Sequence, residues 1–271
     1  MALRTFLVRF VPCGVGVAIA GSAFCTPIPY VVSMGGSIIE VDVPPNTETA
    51  YGATTFATES LGLSATGRLY SVNSAGFMYD VTNPVPILKG VVAAGMVGDL
   101  DADAFGLWAY DNAADVLFYY DEGVSVVTYN APVSGLTGAD IHGVAFDPST
   151  GSVFLSDVNN VLYRIVTPFV PIAVPIGTMA HLDSGHISDI DFDPVTGELY
   201  AMTWANRHFY KVNKLSALTS FVSGPGIGTL DSTGMAMPVV PEPATLAVLG
   251  GGLTLALRRK NERQAQRKSR N

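Results

Sequence analysis

Asp189, Asp191 and Asp193 alternate with Ile190 and Phe192, so in an extended strand all three carboxylates share one face. If that strand lines a central channel, Asp189 and Asp191 point where a hard cation such as calcium would take oxygen ligands. A solvated channel wall or a turn role is the other reading of the same pair. The matching residues beside Val144 are Gly143 and Ala145, so a symmetric ring of carboxylates is not expected. Asp99, Asp101 and Asp103 repeat the D-x-D-x-D start of a calcium loop, but Ala104 stands where an EF-hand needs Gly and Tyr110 where it needs Glu. Asp101 aligns with Asp147 and Asp193, and a turn-forming role is expected of it.

Other chemistry is sparse. His181 and His186 are five residues apart, a poor spacing for one helical face, and neither they nor His142 and His208 belong to an H-E-x-x-H motif. No G-x-S-x-G and no phosphate-cradling glycine loop occurs, and Cys13 and Cys25 both lie near the N-terminus. No catalytic residue is named, and the chain is read as a non-enzyme. No cofactor is expected beyond calcium at Asp189 and Asp191. Trp108, Trp204, Tyr119, Tyr120 and Tyr210 are candidates for stacking on sugars, although Trp108 and Trp204 lie in or beside apolar strands where core packing is the default.

The elements that carry these residues recur. Phe146-Asp147-Pro148-Ser149-Thr150-Gly151-Ser152-Val153-Phe154 returns 46 residues later as Phe192-Asp193-Pro194-Val195-Thr196-Gly197-Glu198-Leu199-Tyr200. Leu100 to Trp108 is a degraded copy, and Leu63 to Tyr70 a shorter one. Each reads as an apolar strand, a tight turn and a second strand. In the turn Pro presets φ, Gly accepts φ > 0, and the Asp carboxylate takes hydrogen bonds from backbone N–H groups. A third strand follows at Met78–Val81, Leu117–Tyr120, Leu162–Ile165 and Phe209–Val212. Repeats of about 40–50 residues holding several strands predict an all-β fold, a β-propeller.

Ile38 to Asp42 matches a third strand with no first or second before it, while Gly234 to Met237 matches a first strand with nothing after it. Ring closure by the C-terminal strand explains both, and gives about five blades, one of them short of a strand. A β-sandwich is the alternative, since short strands and regular turns suit it too. The F-D-P-x-T-G-x-L-Y turns resemble those of secreted propeller-like repeat proteins, a fold that hosts lectins, scaffolds, lyases and hydrolases alike.

Charge separates the body from its ends. Between residues 24 and 240 the chain holds six Lys or Arg against 21 acidic residues, a net −15, while the whole chain carries −8. Such a body repels phosphate backbones, so nucleic acid is not an expected partner.

Both ends read as addresses. Arg4 and Arg9 precede an uncharged stretch and small residues, the order of a secretory signal peptide over 1–23 cut by signal peptidase after Ala20 or Ala23. At the other end Val240-Pro241-Glu242-Pro243 is followed by 14 uncharged residues, 244–257, and then a basic tail, 258–271, that opens on Arg258-Arg259-Lys260. As a helix the apolar run spans about 21 Å, a short membrane segment whose positive end would stay cytoplasmic. The organisation is therefore signal peptide 1–23, linker 24–35, repeat domain 36–238 and C-terminal sorting signal 239–271.

The run VPEPATLAVLGGGLTLALRRK resembles the PEP-CTERM sorting signal in its Pro-Glu-Pro motif, short apolar helix and Arg cluster. The resemblance implies a Gram-negative host and processing near Pro241-Glu242-Pro243 by an exosortase, for which Val240 to Pro243 are a recognition site. It also implies transit through the inner membrane to the cell surface or the extracellular matrix. On this reading the body is a non-enzymatic binding or scaffolding propeller, with extracellular polysaccharide a candidate partner. A secreted propeller enzyme acting on polysaccharide would instead bring Asp189, Asp191 and His142 into one pocket. A calcium-stabilised adhesin is the third alternative.

Overall fold

A computed structural model of the chain describes residues 30–33, 35–42, 47–54, 56–83, 85–136, 140–180, 185–224 and 232–237. The signal segment with Ala20 and Ala23, the motif Val240 to Pro243, the apolar run 244–257 and the cluster Arg258, Arg259 and Lys260 lie outside them. No helix of the described residues is long and apolar enough to cross a membrane.

The described residues form five four-stranded sheets. Four of them are successive antiparallel meanders. They run through β4 (Thr58–Leu63), β5 (Leu69–Asn73), β6 (Phe77–Asp80) and β7 (Ile87–Val91), then β8 (Val97–Ala102), β9 (Gly106–Asp111), β10 (Val116–Asp121) and β11 (Val126–Pro132). The next two are β12 (Ile141–Asp147), β13 (Ser152–Asp157), β14 (Val161–Ile165), β15 (Ala173–Thr178), and β16 (Ile187–Phe192), β17 (Leu199–Thr203), β18 (Phe209–Val212), β19 (Thr219–Ser223). The fifth joins the two ends of the domain. Its order is β20 (Ser232–Ala236), β1 (Tyr30–Ser33), β2 (Ser37–Asp42), β3 (Thr47–Ala53). First strands adjoin one another in a closed circuit, β4 to β8, β12, β16, β20 and back to β4.

Burial follows from this radial stacking. A second strand has a neighbouring sheet against each face, so β9, β13 and β17 are buried at every position. The outer strand β11 alternates between exposed and half-buried residues, as a period-2 strand at a rim should. Five apolar clusters fill the five sheet-to-sheet interfaces. In one, Trp108 and Leu117 meet Val144 and Leu155; in the interface that closes the circuit, Tyr200 and Met202 meet Val41, Met235 and Met237. Each such side chain removed from water contributes about 1.5–3 kcal/mol.

The turns behave as their residue types require. Asp147 Oδ1 accepts from the Ser149 N–H at 2.9 Å, and the Gly151 N–H, at φ +68°, closes on the Asp147 carbonyl at 2.8 Å. Asp193 repeats this with the N–H groups of Val195 and Gly197.

Three expectations need correction. No sheet is short of a strand: each has a fourth, outer strand, and β1 supplies the second strand of the closing sheet from within the segment 24–35 assigned to a linker. The outer strands escaped notice because a rim strand packs on few neighbours and tolerates Thr, Gly and Pro, as in β11 and β15. Finally, Asp101 is not the turn residue. It sits in β8 opposite Trp108, as Asp191 sits opposite Tyr200. Asp103 makes the turn, accepting from the N–H groups of Phe105 at 2.8 Å and Gly106 at 3.0 Å.

Candidate functional site

Each first strand is the inner edge of its sheet, so N–H groups facing the axis lack a ladder partner and need an acceptor. The chain supplies acceptors from two strands. On β8, Asp99 accepts from the Leu61 N–H on β4 at 3.4 Å and from the Val144 N–H on β12 at 3.3 Å, while Asp101 accepts from the Phe146 N–H at 2.6 Å. On β16, Asp189 accepts from the Met235 N–H on β20, and Asp191 from the Met237 N–H at 2.6 Å.

The other three first strands leave room for these side chains. Gly62, Ala145 and Ala236 occupy the level of Asp101 and Asp191; Ser60, Gly143 and Gly234 occupy that of Asp99 and Asp189. A Cβ on Gly143 would come within 2.7 Å of the Ile190 backbone nitrogen and 2.6 Å of Ser156 Oγ, so β12 and β16 approach this closely only because the residue is Gly.

Across the axis the carboxyls pair, Asp99 with Asp189 and Asp101 with Asp191. Two carboxyls in hydrogen-bond contact need a proton between them, because an ionised carboxylate can only accept. Burial pushes all four up from the usual carboxylate range, Asp101 to about 7, and the partner's charge raises Asp189 and Asp191 further. In each pair the protonated form is thus favoured beyond the usual carboxylate range, in the manner of two acids that cannot both ionise.

Asp189 and Asp191 do face the axis, as the alternation in their strand implies. Sequence reasoning missed their partners Asp99 and Asp101, although Asp99-Leu100-Asp101 and Asp189-Ile190-Asp191 are the same short pattern. Among the described residues no group of three or more His, Cys, Asp or Glu is placed to hold a metal ion.

At the end of the axis where the first strands finish, a cavity of about 450 Å³ opens. Asp101 and Asp191 reach its lining, and Phe105, Phe146, Phe192 and Met237 give it apolar walls. Phe105 is 78% exposed at the rim.

The remaining candidates lie apart from this cavity. His142 packs edge-to-face on His186, ring centroids 5.1 Å apart, with Trp204 beside both. Burial and the neighbouring His186 hold His142 below the ordinary imidazole value, while Asp140 and Asp157 pull the other way. His142 thus answers to a different set of groups from the carboxyl pairs. His181 lies outside the described residues. Trp108, Tyr119, Tyr120 and Tyr210 are buried, which removes them as sugar platforms; Trp108 Nε1 instead donates to Asp103 Oδ2 at 3.2 Å. Trp204 is half-buried.

No known protein family matches the chain, and no curated protein matches it. Among solved structures it is similar to a chain in a crystal structure of a nidogen/laminin complex, with a TM-score of 0.52 and 11% identity over 79% of this chain and 81% of that one. Likeness at that identity concerns the fold alone. Radial four-stranded sheets closed by a terminal strand, with such a structural neighbour, define the class: the chain is a β-propeller.

Proposed function

We propose that this protein is an exported, non-enzymatic binding or scaffolding component of the cell envelope or extracellular matrix, built as a five-bladed propeller. The observation that carries the binding reading is the cavity at the axial mouth, where exposed Phe105 and the rings of Phe146 and Phe192 surround a floor of paired carboxyls. Concave, mostly apolar sites with a few polar groups are where ligands settle. Export rests on the two terminal addresses: signal peptidase would cut after Ala20 or Ala23, and an exosortase would act near Val240 to Pro243 while residues 244–257 hold the chain in the inner membrane.

Catalysis on polysaccharide is the less supported alternative. His142 stands with His186 and Trp204, and is absent from the lining that Asp101 and Asp191 share. A screen of the purified protein against extracellular polysaccharides and their oligosaccharides tests the reading. Saturable binding that Phe105→Ala weakens is the expected result. Turnover of a bound polysaccharide would move the protein to the enzyme class, and no binding to any matrix component would leave scaffolding without support.

A further inference from the structure

The centre of the ring has a property that goes beyond ligand binding and does not depend on it. Four carboxyls meet there on strands that must stay together. Asp99 and Asp101 tie β8 to β4 and β12; Asp189 and Asp191 tie β16 to Met235 and Met237 at the closing strand. The two strands both pack on β12 and are joined directly by the carboxyl pairs that cross between them, over Gly143 and Ala145 of β12. Remove the proton from a pair and two like charges face each other, for Asp99 and Asp189 in a fully buried space and for Asp101 and Asp191 at the floor of the axial cavity, while the bond that joined them is gone.

We propose that the propeller ring is held shut by protons: the Asp99–Asp189 and Asp101–Asp191 pairs clamp β8, β12, β16 and β20 together while each pair keeps one, and the ring loosens as its surroundings turn alkaline.

The groups around the clamp give no counter-charge. The strongest charges acting on the four carboxyls are one another and Asp103, all of the same sign. β20 carries no ionisable side chain, and β4 carries only Glu59, itself raised by burial. β12 carries His142 at its start and Asp147 at its end; the first answers to His186, Asp140 and Asp157, the second to Lys214. On β9 and β17, which back the two acidic strands, Asp111 accepts from the Ala94 and Ala113 N–H groups and Tyr200 donates to Glu198.

The direction follows from linkage. A carboxyl raised in the folded state stabilises the fold fully below its unfolded value, about 3.9, and that stability is lost as pH rises through the raised values, which for Asp101 means about 7. His142, held low, works in the opposite sense, losing stability as pH falls below the ordinary imidazole range. A comparison between variants that all keep His142 removes its part.

The test is the melting temperature of the full-length protein from pH 5 to pH 8.5, against the double variant Asp189→Asn and Asp191→Asn. An amide donates to the opposite carboxylate without a titratable proton, so it keeps the clamp at any pH. The native protein should lose about 8 °C or more over that range, and the double variant less than half as much. A flat or rising native profile, or a variant with the native slope, would overturn the proposal. If the variant does not fold, infrared spectra of the native protein decide: a protonated-carboxyl stretch at pH 6 that disappears by pH 9 supports the clamp, and no such band at pH 6 overturns it. Calcium is the rival occupant. Stabilisation by millimolar calcium at pH 8.5 that the double variant lacks would put a cation where the protons belong, and would also overturn it.

Discussion

Asp189 on β16 accepts a hydrogen bond from the backbone N–H of Met235 on β20, 46 residues away, and so grips the strand that closes the ring. Asp191 does the same for Met237, two residues on. On the other acidic strand, Asp99 holds Leu61 and Val144 at once. Two acidic strands thus serve three that carry Gly, Ala and Ser in their place. The arrangement ties a chemistry-bearing pattern to the topology.

Gly143 lies on β12, between the two acidic strands and against Ile190 of β16. Gly143→Ala should destabilise the protein by about 1–3 kcal/mol, because the added methyl meets the Ile190 backbone nitrogen as well as Ser156 Oγ, and the backbone cannot swing aside as a side-chain end can. Urea unfolding monitored by tyrosine and tryptophan fluorescence measures it; an unchanged midpoint would mean that β12 and β16 are less close than described.

The closing strand should be indispensable. A chain ending at residue 231 loses β20, with Met235 and Met237 no longer covering Tyr200 and Met202. The two methionines alone represent about 3–6 kcal/mol of burial, so circular dichroism melts should show a broad or absent transition. A chain ending at residue 237 keeps β20 and should melt as one cooperative unit.

Asp147 sets the acid limit. Burial would raise its carboxyl, but the Lys214 ammonium at 2.7 Å, with Ser149 and Thr150, holds it below the usual range. Its contribution is present above the unfolded value of about 3.9 and lost as pH falls through the lowered folded value. Asp147→Asn should therefore cost stability at pH 5 and flatten the loss below about pH 4, read by denaturant titrations at several pH values.

Phe105 separates binding from folding. With most of its surface exposed, Phe105→Ala should change stability by no more than about 0.5 kcal/mol, yet lower affinity for any ligand seated in the axial cavity. Equal affinities in native and variant protein would place the ligand elsewhere.

Much of this was readable in the residues. The Asp-Pro-x-Thr-Gly turns and the unmatched ends at Ile38 and Met235 point to a closed ring because each carries a local physical constraint. The outer strands carry none: Thr219–Ser223 and Ala173–Thr178 look like loops until β18 and β14 are beside them. The carboxyl pairs were hidden for a different reason. Asp101 and Trp108 are seven positions apart and Asp191 and Tyr200 nine, so the β8–β9 hairpin is two residues tighter than its counterpart. An ungapped alignment then lays Asp101 on Asp147, although the ladder gives that place to Asp103. The pairing of Asp99 with Asp189 joins strands two sheets apart, which no local pattern reveals.

The most direct test of the account is the mature protein itself, taken from the envelope or culture medium of a host that has an exosortase, and weighed intact. The proposed route predicts a chain that begins after Ala20 or Ala23, retains Met235 and Met237 to keep its ring, and has lost Arg258, Arg259 and Lys260 with the rest of the tail. A full-length, uncut chain found in the cytoplasm of such a host would contradict it.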